Sequence, residues 1–194
     1  MSKLFSGLTN FNEPLDNWTV SQVEDMSSMF KGCTRFNQPL NRWTVSQVED
    51  MSSMFKGCAN FNQPLDNWIV SNVKHMSYMF SGCTRFNQPL NRWTVSQVED
   101  MSSMFKGCAN FNQPLNDWAL SSNTTAMDFM FSGCTNFNQP LNDWTVPSSQ
   151  TLSSTAQSVI HSMFQHSDMS EEYKPKPSDG GKKRKTKKTK KMRK

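Results

Sequence analysis

Apolar and polar positions follow one another along this chain in a pattern that recurs about every 25 residues. In residues 61–85 the recurring apolar places are Phe61, Leu65, Trp68, Val70, Val73, Met76, Met79, Phe80 and Cys83. The spacings between them are 4, 3, 2, 3, 3, 3, 1 and 3 residues, which match neither one long helix nor one long strand. We therefore expect a coil that turns several corners, so that each apolar side chain faces a shared central axis.

The fixed period predicts the architecture of the chain. Phe opens the copies at Phe11, Phe36, Phe61, Phe86, Phe111 and Phe137, and Trp follows seven residues after each of them. A period of this length is typical of a solenoid, in which each repeat stacks on the one before. We predict a repeat solenoid of about six stacked 25-residue coils, with short parallel strands and short helical turns.

Within one coil, three local features predict structure. Pro64 pushes the residue before it toward extended geometry, so we expect a short parallel strand around residues 64–70. Met76, Met79 and Phe80 have helical spacing and predict one helical turn, which Gly82 ends. An Asn follows each core Phe; it can form a ladder that bonds backbone groups at a corner, or it can be a solvated turn residue.

The chain divides into three parts. Residues 1–166 form the predicted solenoid, with a partial copy at 1–10 and a degenerate C-terminal cap at 137–166. Residues 167–181 are predicted to be a linker, and residues 182–194 a disordered basic tail. Residues 32–65 are identical to residues 82–115, which indicates duplication of a 50-residue double repeat.

Charge separates the two ends of the chain. Residues 1–173 hold 9 Lys and Arg against 15 Asp and Glu, a net charge of −6, whereas residues 174–194 hold 12 against one, a net +11. The candidate residues of the tail are Lys182, Lys183, Arg184, Lys185, Lys187, Lys188, Lys190 and Lys191. They are consistent with three roles: a solubilising tail, sequence-independent binding of nucleic-acid phosphates, or a basic nuclear-import signal.

The sequence contains no predicted targeting or membrane segment. Residues 1–7 lack the apolar run of a secretory signal, and no stretch approaches the ~20 apolar residues of a membrane-spanning helix. We therefore expect no membrane span and an intracellular location, in the nucleus or the cytoplasm of a host cell.

Catalytic, metal and cofactor sites are not predicted. The five cysteines Cys33, Cys58, Cys83, Cys108 and Cys134 share one repeat position. They lack the CxxC pairs or nearby His of zinc sites, so packing is favoured over metal or redox chemistry. The repeated pairs Glu24-Asp25, Glu49-Asp50 and Glu99-Asp100 favour a solvated acidic stripe over acid–base catalysis.

Departures from the repeat pattern mark the candidate partner-binding residues. Arg35, Arg42, Arg85 and Arg92 occur in alternate copies. The third copy replaces its neighbours' Glu-Asp with Lys74-His75 and a Ser with Tyr78. These seven residues either belong to a surface that binds a protein partner or reflect neutral drift among the copies.

The repeat F-N-Q-P-L-N-x-W-x-V-S-x-V-x-x-M-x-x-M-F-x-G resembles the BspA-like leucine-rich repeat surface proteins over about residues 4–164. The resemblance implies a leucine-rich-repeat-like solenoid and a role in adhesion or protein binding. The lipid-attachment Cys of some family members has no counterpart near the start, since the first cysteine is Cys33, inside a repeat. The Lys-rich end is also similar in composition to tails of proteins from large DNA viruses.

Overall fold

The computed structural model describes residues 1–121, 123–124, 126–146 and 156–177. Its regular elements lie toward the C-terminus: strand β1 (Thr145–Val146), helix α1 (Ala156–Met163), a 3₁₀ helix (Glu171–Tyr173) and strand β2 (Lys176–Pro177). The two strands pair in parallel, with Thr145 opposite Lys176. Neither helix in this described part of the chain is long and apolar enough to cross a membrane. The repeats themselves consist of turns, extended segments and isolated parallel bridges.

Backbone hydrogen bonds join each repeat to the next at equivalent positions. Parallel bridges connect Asp25, Asp50, His75, Asp100 and Ala126 in that order. Between the third and fourth repeats, four N–H groups donate to carbonyls 24 residues further on, at 2.7–2.9 Å: those of Met76, Tyr78, Phe80 and Gly82. The N–H groups that follow Tyr78, Phe80 and Gly82, those of Met79, Ser81 and Cys83, donate to the carbonyl three residues back, at 2.8–3.2 Å. Alternate N–H groups therefore hold neighbouring repeats together and close turns within one repeat.

The segment predicted to be a helical turn consists of overlapping β-turns. Tyr78 and Gly82 have φ angles of 58° and 76°, and each is the third residue of a hydrogen-bonded turn, over 76–79 and 80–83. Type II turns require a positive φ at this position, whereas an α-helix needs a φ near −60°. The turns point Met76, Met79 and Phe80 inward, and this reproduces helical spacing without a helix.

The parallel bridges also lie elsewhere than the sequence predicts. No strand or bridge is assigned to residues 61–70, and the bridges occur near the start of the turn segment instead. Gly82 illustrates what the turns require of the sequence. A Cβ added there would lie 3.6 Å from the Cα of Gly57, which is ordinary contact. Glycine is favoured by the left-handed backbone conformation and not by a lack of space.

Two columns of stacked Phe rings form the centre of the core. Within one repeat the two rings lie close together, as in Phe55 and Phe61, whose centroids are 4.2 Å apart. Between repeats the equivalent rings lie 5.7 Å apart for Phe55 and Phe80, and 6.0 Å apart for Phe61 and Phe86. Phe164, which follows α1, stacks on Phe131 at 5.5 Å and extends one column into the C-terminal segment.

The prediction that the Trp column belongs to the core is confirmed for five of its six members. Trp68 is 2% exposed, and Trp43, Trp93, Trp118 and Trp144 are similarly buried. The indole N–H of Trp68 donates to the carbonyl oxygen of Leu40 in the preceding repeat, at 3.1 Å. For Trp18 the prediction is wrong: this side chain is 40% exposed because it lies in the first full repeat.

The predicted Asn ladder is confirmed. The side-chain oxygen of Asn62 accepts a hydrogen bond from the backbone N–H of Asn87 at 2.9 Å, and Asn37 serves Asn62 in the same way. The Nε2 group of Gln88 also donates to the Asn62 oxygen, at 3.1 Å. At the C-terminal end the N–H of Ser170 donates to Asn138, so the ladder continues into the segment after α1. The ladder takes the place of backbone pairing where the parallel bridges are missing.

Candidate binding surfaces

Lys74 interrupts a column of carboxylates on the surface. The equivalent residues in other repeats are Glu24, Glu49 and Glu99. The Lys74 Nζ atom lies 2.8 Å from a carboxylate oxygen of Glu49. This hydrogen bond, together with the Glu49 charge, raises the pKa of Lys74. Lys74 therefore has a partner within the protein, and it relieves the repulsion that a further Glu in the column would cause.

His75 interrupts the adjacent column in the same way. It takes the place held by Asp25, Asp50 and Asp100 in neighbouring repeats, and its backbone forms parallel bridges with Asp50 and Asp100. The carbonyl of His75 accepts the N–H of Met51 at 2.9 Å. Its side chain is exposed. The pair Lys74-His75 thus divides an acidic surface stripe into two shorter parts.

Tyr78 is an exposed aromatic residue at a position with positive φ. The Nζ of Lys56, from the preceding repeat, lies 4.2 Å from the centroid of its ring. Phe129 repeats this arrangement: its φ is 59°, and the Nζ of Lys106 lies 5.4 Å from its ring. Because both aromatic rings are covered on one side by a lysine of their own chain, cation–π attraction holds them on the surface.

Ile69 is the most exposed large hydrophobic residue in the described chain, at 61%. Sequence reasoning missed it, although the equivalent residues Thr19, Thr44 and Thr94 are polar and mark it as a departure. Two surface pockets, of about 290 and 200 Å³, share Ile69 and Asn67 in their walls. We call this surface the Ile69 groove; its walls also include Arg42, Thr44, Arg92 and Thr94.

Two of the predicted arginines border the Ile69 groove on opposite sides. Arg42 belongs to the repeat before Ile69, and Arg92 to the repeat after it. Each has one carboxylate 3.9 Å away, Asp16 for Arg42 and Asp66 for Arg92, and the two arginine side chains are 71% and 70% exposed. A pair this long and this exposed is worth little, so both guanidinium groups keep donors available for a ligand.

The other predicted residues do not join this groove. Arg35 and Arg85 precede the core Phe of their repeats, and their backbone N–H groups donate to Thr9 and Ala59 at 3.2 and 3.3 Å. Among the described residues, no hydrogen bond or ion pair joins any of the four arginines to Lys74, His75 or Tyr78. The predicted tail residues, 182–191, lie outside the described residues.

The cysteine column is a packing feature of the core. All five cysteines are buried and free, and the Sγ of Cys83 donates to the carbonyl of Phe55 at 3.0 Å. Burial raises the pKa of every one of these thiols, to about 12 for Cys134. The described ranges contain no group of three or more His, Cys, Asp or Glu that could hold a metal ion. Packing, the favoured interpretation of these cysteines, is confirmed.

Comparison with known proteins places the chain in a family. A family model described as "Mycoplasma protein of unknown function, DUF285" matches residues 1–84 and, overlapping them, residues 58–170. The chain belongs to this family. Two overlapping matches of one model within one chain are what repeated sequence produces, and the DUF285 match spans the whole run of repeats. No curated protein matches the chain. No solved structure matches it either.

Proposed function

We propose that this DUF285 protein is a non-enzymatic, leucine-rich-repeat-like solenoid scaffold that binds a protein partner through the side of its repeat stack. The Ile69 groove carries the proposal. It combines an exposed apolar side chain, two flanking pockets and two guanidinium groups with weak internal partners. Arginine and large apolar residues are enriched at the centres of protein interfaces.

The regular contacts between repeats support the same proposal by elimination. The recurring Phe, Trp, Asn and Cys side chains form the core and the hydrogen bonds between repeats. Selective binding then depends on residues that break the columns, and Ile69 is such a residue. The BspA-like resemblance, which implies adhesion or protein binding, points to the same class of function.

Affinity capture tests the scaffold proposal. The full chain and a form that ends at residue 181 are each used to capture partners, which are identified by mass spectrometry. We expect the same protein partner with both forms, and we expect Ile69→Asp to abolish its capture. Thr19→Asp is the matched control, because it places the same charge at the same repeat position outside the groove. Loss of the partner on removal of the tail alone would contradict the proposal.

A second candidate function rests on the basic run at 182–194, which holds ten Lys and Arg. In this alternative the chain is nucleic-acid-associated or imported into the nucleus through its tail. Binding to phosphates releases counterions, so the logarithm of the binding constant of the full chain for DNA would fall linearly and steeply with the logarithm of the salt concentration. Absence of retention at 50 mM salt would exclude nucleic-acid binding, and the form ending at residue 181 is the control.

A further inference from the structure

The Ile69 groove belongs to a strip of surface side chains that runs along the whole stack. The strip consists of the residues five, six and eight places after the core Phe of each repeat, and we call it the Ile69 strip. Its charged members, from the first repeat to the sixth, are Asp16, Arg42, Asp66, Arg92, Asp117 and Asp143. The first five alternate in sign, so a ligand that covers the strip must carry both signs in a matching order.

A second copy of this chain carries charges with the same spacing. On this side of the stack the rings of Trp93, Trp118 and Trp144, each directly after a charged member of the strip, are 6.4 and 6.2 Å apart. Because the spacing is the same in both copies, two strips stay in register over all six repeats. If the copies run antiparallel about a two-fold axis, every contact forms twice and the assembly closes as a dimer.

The alternation of charge selects the register of the two copies. With the two-fold axis between the third and fourth repeats, Arg92 faces Asp66 of the second copy, and Arg42 faces Asp117 of the second copy. Both pairs form twice, which gives four contacts between opposite charges. With the axis through the third repeat instead, Arg42 would face Arg92 and the two copies would repel each other.

The charged groups at the axis are free to make these contacts. Within one copy an Nη1 atom of Arg92 lies 3.9 Å from Asp66, and the two side chains are 70% and 29% exposed. A guanidinium group has five donors, so Arg92 can contact Asp66 of both copies, and the four groups then alternate in sign around the axis. Asp117 is exposed, and in the described ranges it takes part in no ion pair.

Like charges meet only at the two outer ends of the contact. There Asp16 of one copy comes opposite Asp143 of the other. Asp16 lies 3.9 Å from Arg42 of its own chain, and Asp143 accepts a hydrogen bond from Asn116 at 2.6 Å. Exposed charges at the rim of an interface are screened by solvent, so this approach costs little compared with the four attractive contacts.

The shape of the surface favours the same axis. The pocket of about 290 Å³ lies between the third and fourth repeats and has Asp66, Ile69, Arg92 and Thr94 in its walls. In this register Ile69 of the second copy lies opposite Thr94 and can enter that pocket. An axis between the second and third repeats also matches the charges, but it places Ile69 at the smaller pocket of about 200 Å³ and leaves the last two repeats uncovered.

We propose that two copies of this chain associate antiparallel through the Ile69 strip, with the two-fold axis between the third and fourth repeats. A strip about 32 Å long and about 12 Å wide covers roughly 400 Å² on each copy, about half of a standard interface, so the dimer is weak and transient. The inference rests on the proposed scaffold function and names its partner as a second copy.

Sedimentation equilibrium of the full chain tests the dimer, in about 50 mM salt and up to about 500 µM protein. We expect a monomer–dimer equilibrium. Arg42→Asp and Asp117→Arg each place like charges opposite one another at two sites, so each should raise the dissociation constant at least about fivefold. The double variant restores opposite charges and the original net charge, and its dissociation constant should return to within about threefold of the starting value.

Two further variants separate the strip from general charge and test its apolar centre. Arg35→Asp is the matched control, because it makes the same charge change at an exposed position outside the strip, and it should change the dissociation constant by less than about twofold. Ile69→Thr, which restores the neighbours' residue, should raise it about threefold.

Three results would overturn the proposal. The first is a chain that stays monomeric at about 500 µM. The second is a double variant no tighter than the single variants. The third is an Asp117→Arg variant that dimerises normally, since Asp117 lies outside the contact when the axis falls between the second and third repeats.

Failure of the dimer is distinguishable from failure of the scaffold function. If the chain is monomeric but the tail-less form still captures another protein in an Ile69-dependent way, the dimer inference is wrong and the scaffold proposal stands. If the tail-less form captures neither a second copy nor another protein, the scaffold proposal is overturned.

Discussion

Removal of one buried tryptophan, Trp68→Ala, tests whether the contacts between repeats provide the stability of this protein. Trp68 is 2% exposed, and its ring centroid lies 6.3 Å from that of Phe55. Its indole N–H donates to the Leu40 carbonyl at 3.1 Å. The substitution removes a large apolar surface and one hydrogen bond between two repeats.

The two contributions are of different size. A buried Trp covers about 200 Å², which at about 25 cal/mol/Å² gives about 5 kcal/mol as an upper bound. The hydrogen bond adds about 1 kcal/mol or less, because the Leu40 carbonyl still accepts the backbone N–H of Trp43 at 3.0 Å. We therefore expect Trp68→Ala to lower the free energy of unfolding by about 3–5 kcal/mol.

Urea denaturation followed by the fluorescence of the remaining tryptophans measures this loss. Trp18→Ala is the matched control: Trp18 is 40% exposed and its indole has no acceptor among the described residues, so its loss should cost about 2–3 kcal/mol, less than the loss of Trp68. Trp68→Phe keeps an aromatic ring and should cost less than Trp68→Ala. If Trp68→Ala costs under about 1 kcal/mol, or no more than Trp18→Ala, the reasoning from burial is refuted.

Four further predictions concern the other columns. Asn62→Ala should destabilise the protein by about 1–2 kcal/mol, because it leaves the N–H of Asn87 without its acceptor. Asn62→Asp keeps an acceptor oxygen and should cost less. Equal losses of unfolding free energy for the two variants in urea titrations would contradict the role of the Asn ladder. Because burial raises the pKa of Cys83, it should resist iodoacetamide at pH 8 in the folded protein and react in urea. The raised thiol pKa values also mean that, above about pH 8.5, the folded state keeps thiol protons that the unfolded state loses. The free energy of unfolding should therefore fall as the pH rises above about 8.5. A free energy of unfolding that stays constant up to about pH 11 would refute this prediction. Gly82→Ala should cost about 1–2 kcal/mol through its φ of 76°, and Gly82→Asn should cost less, as thermal or urea unfolding would show.

The sequence predicted which residues are buried better than it predicted the backbone between them. Apolar period alone identified the buried Phe, Met and Cys columns, because burial depends on which side chains face inward. It did not identify the turns, since residues at i, i+3 and i+4 face one side both in a helix and in the overlapping turns around Tyr78. The positive φ at Tyr78 and Gly82 and the N–H groups that donate to the next repeat distinguish the turns from a helix, and Tyr at such a position gives no signal in a sequence.

The candidate site was harder to predict for a related reason. Lys74 and Tyr78 differ from their equivalents in charge or size, but the structure gives each a partner from the preceding repeat, Glu49 and Lys56. Ile69 differs little from Thr in shape, so the sequence did not identify it as a candidate binding residue. Its exposure in the structure makes it the centre of the groove. Exposure depends on how the coil turns its corners, which the apolar period does not determine.

The alternating donors of the turn segment make the length of this protein adjustable. Each repeat offers its neighbour the same set of N–H and carbonyl groups at the same positions. Recombination between the identical segments 32–65 and 82–115 would remove or add two whole repeats, and the new junction would already have its hydrogen-bond partners. The shorter product would keep its core columns but lose Ile69. A lineage can therefore discard or duplicate this groove in one genetic step, and the remaining repeats keep their contacts.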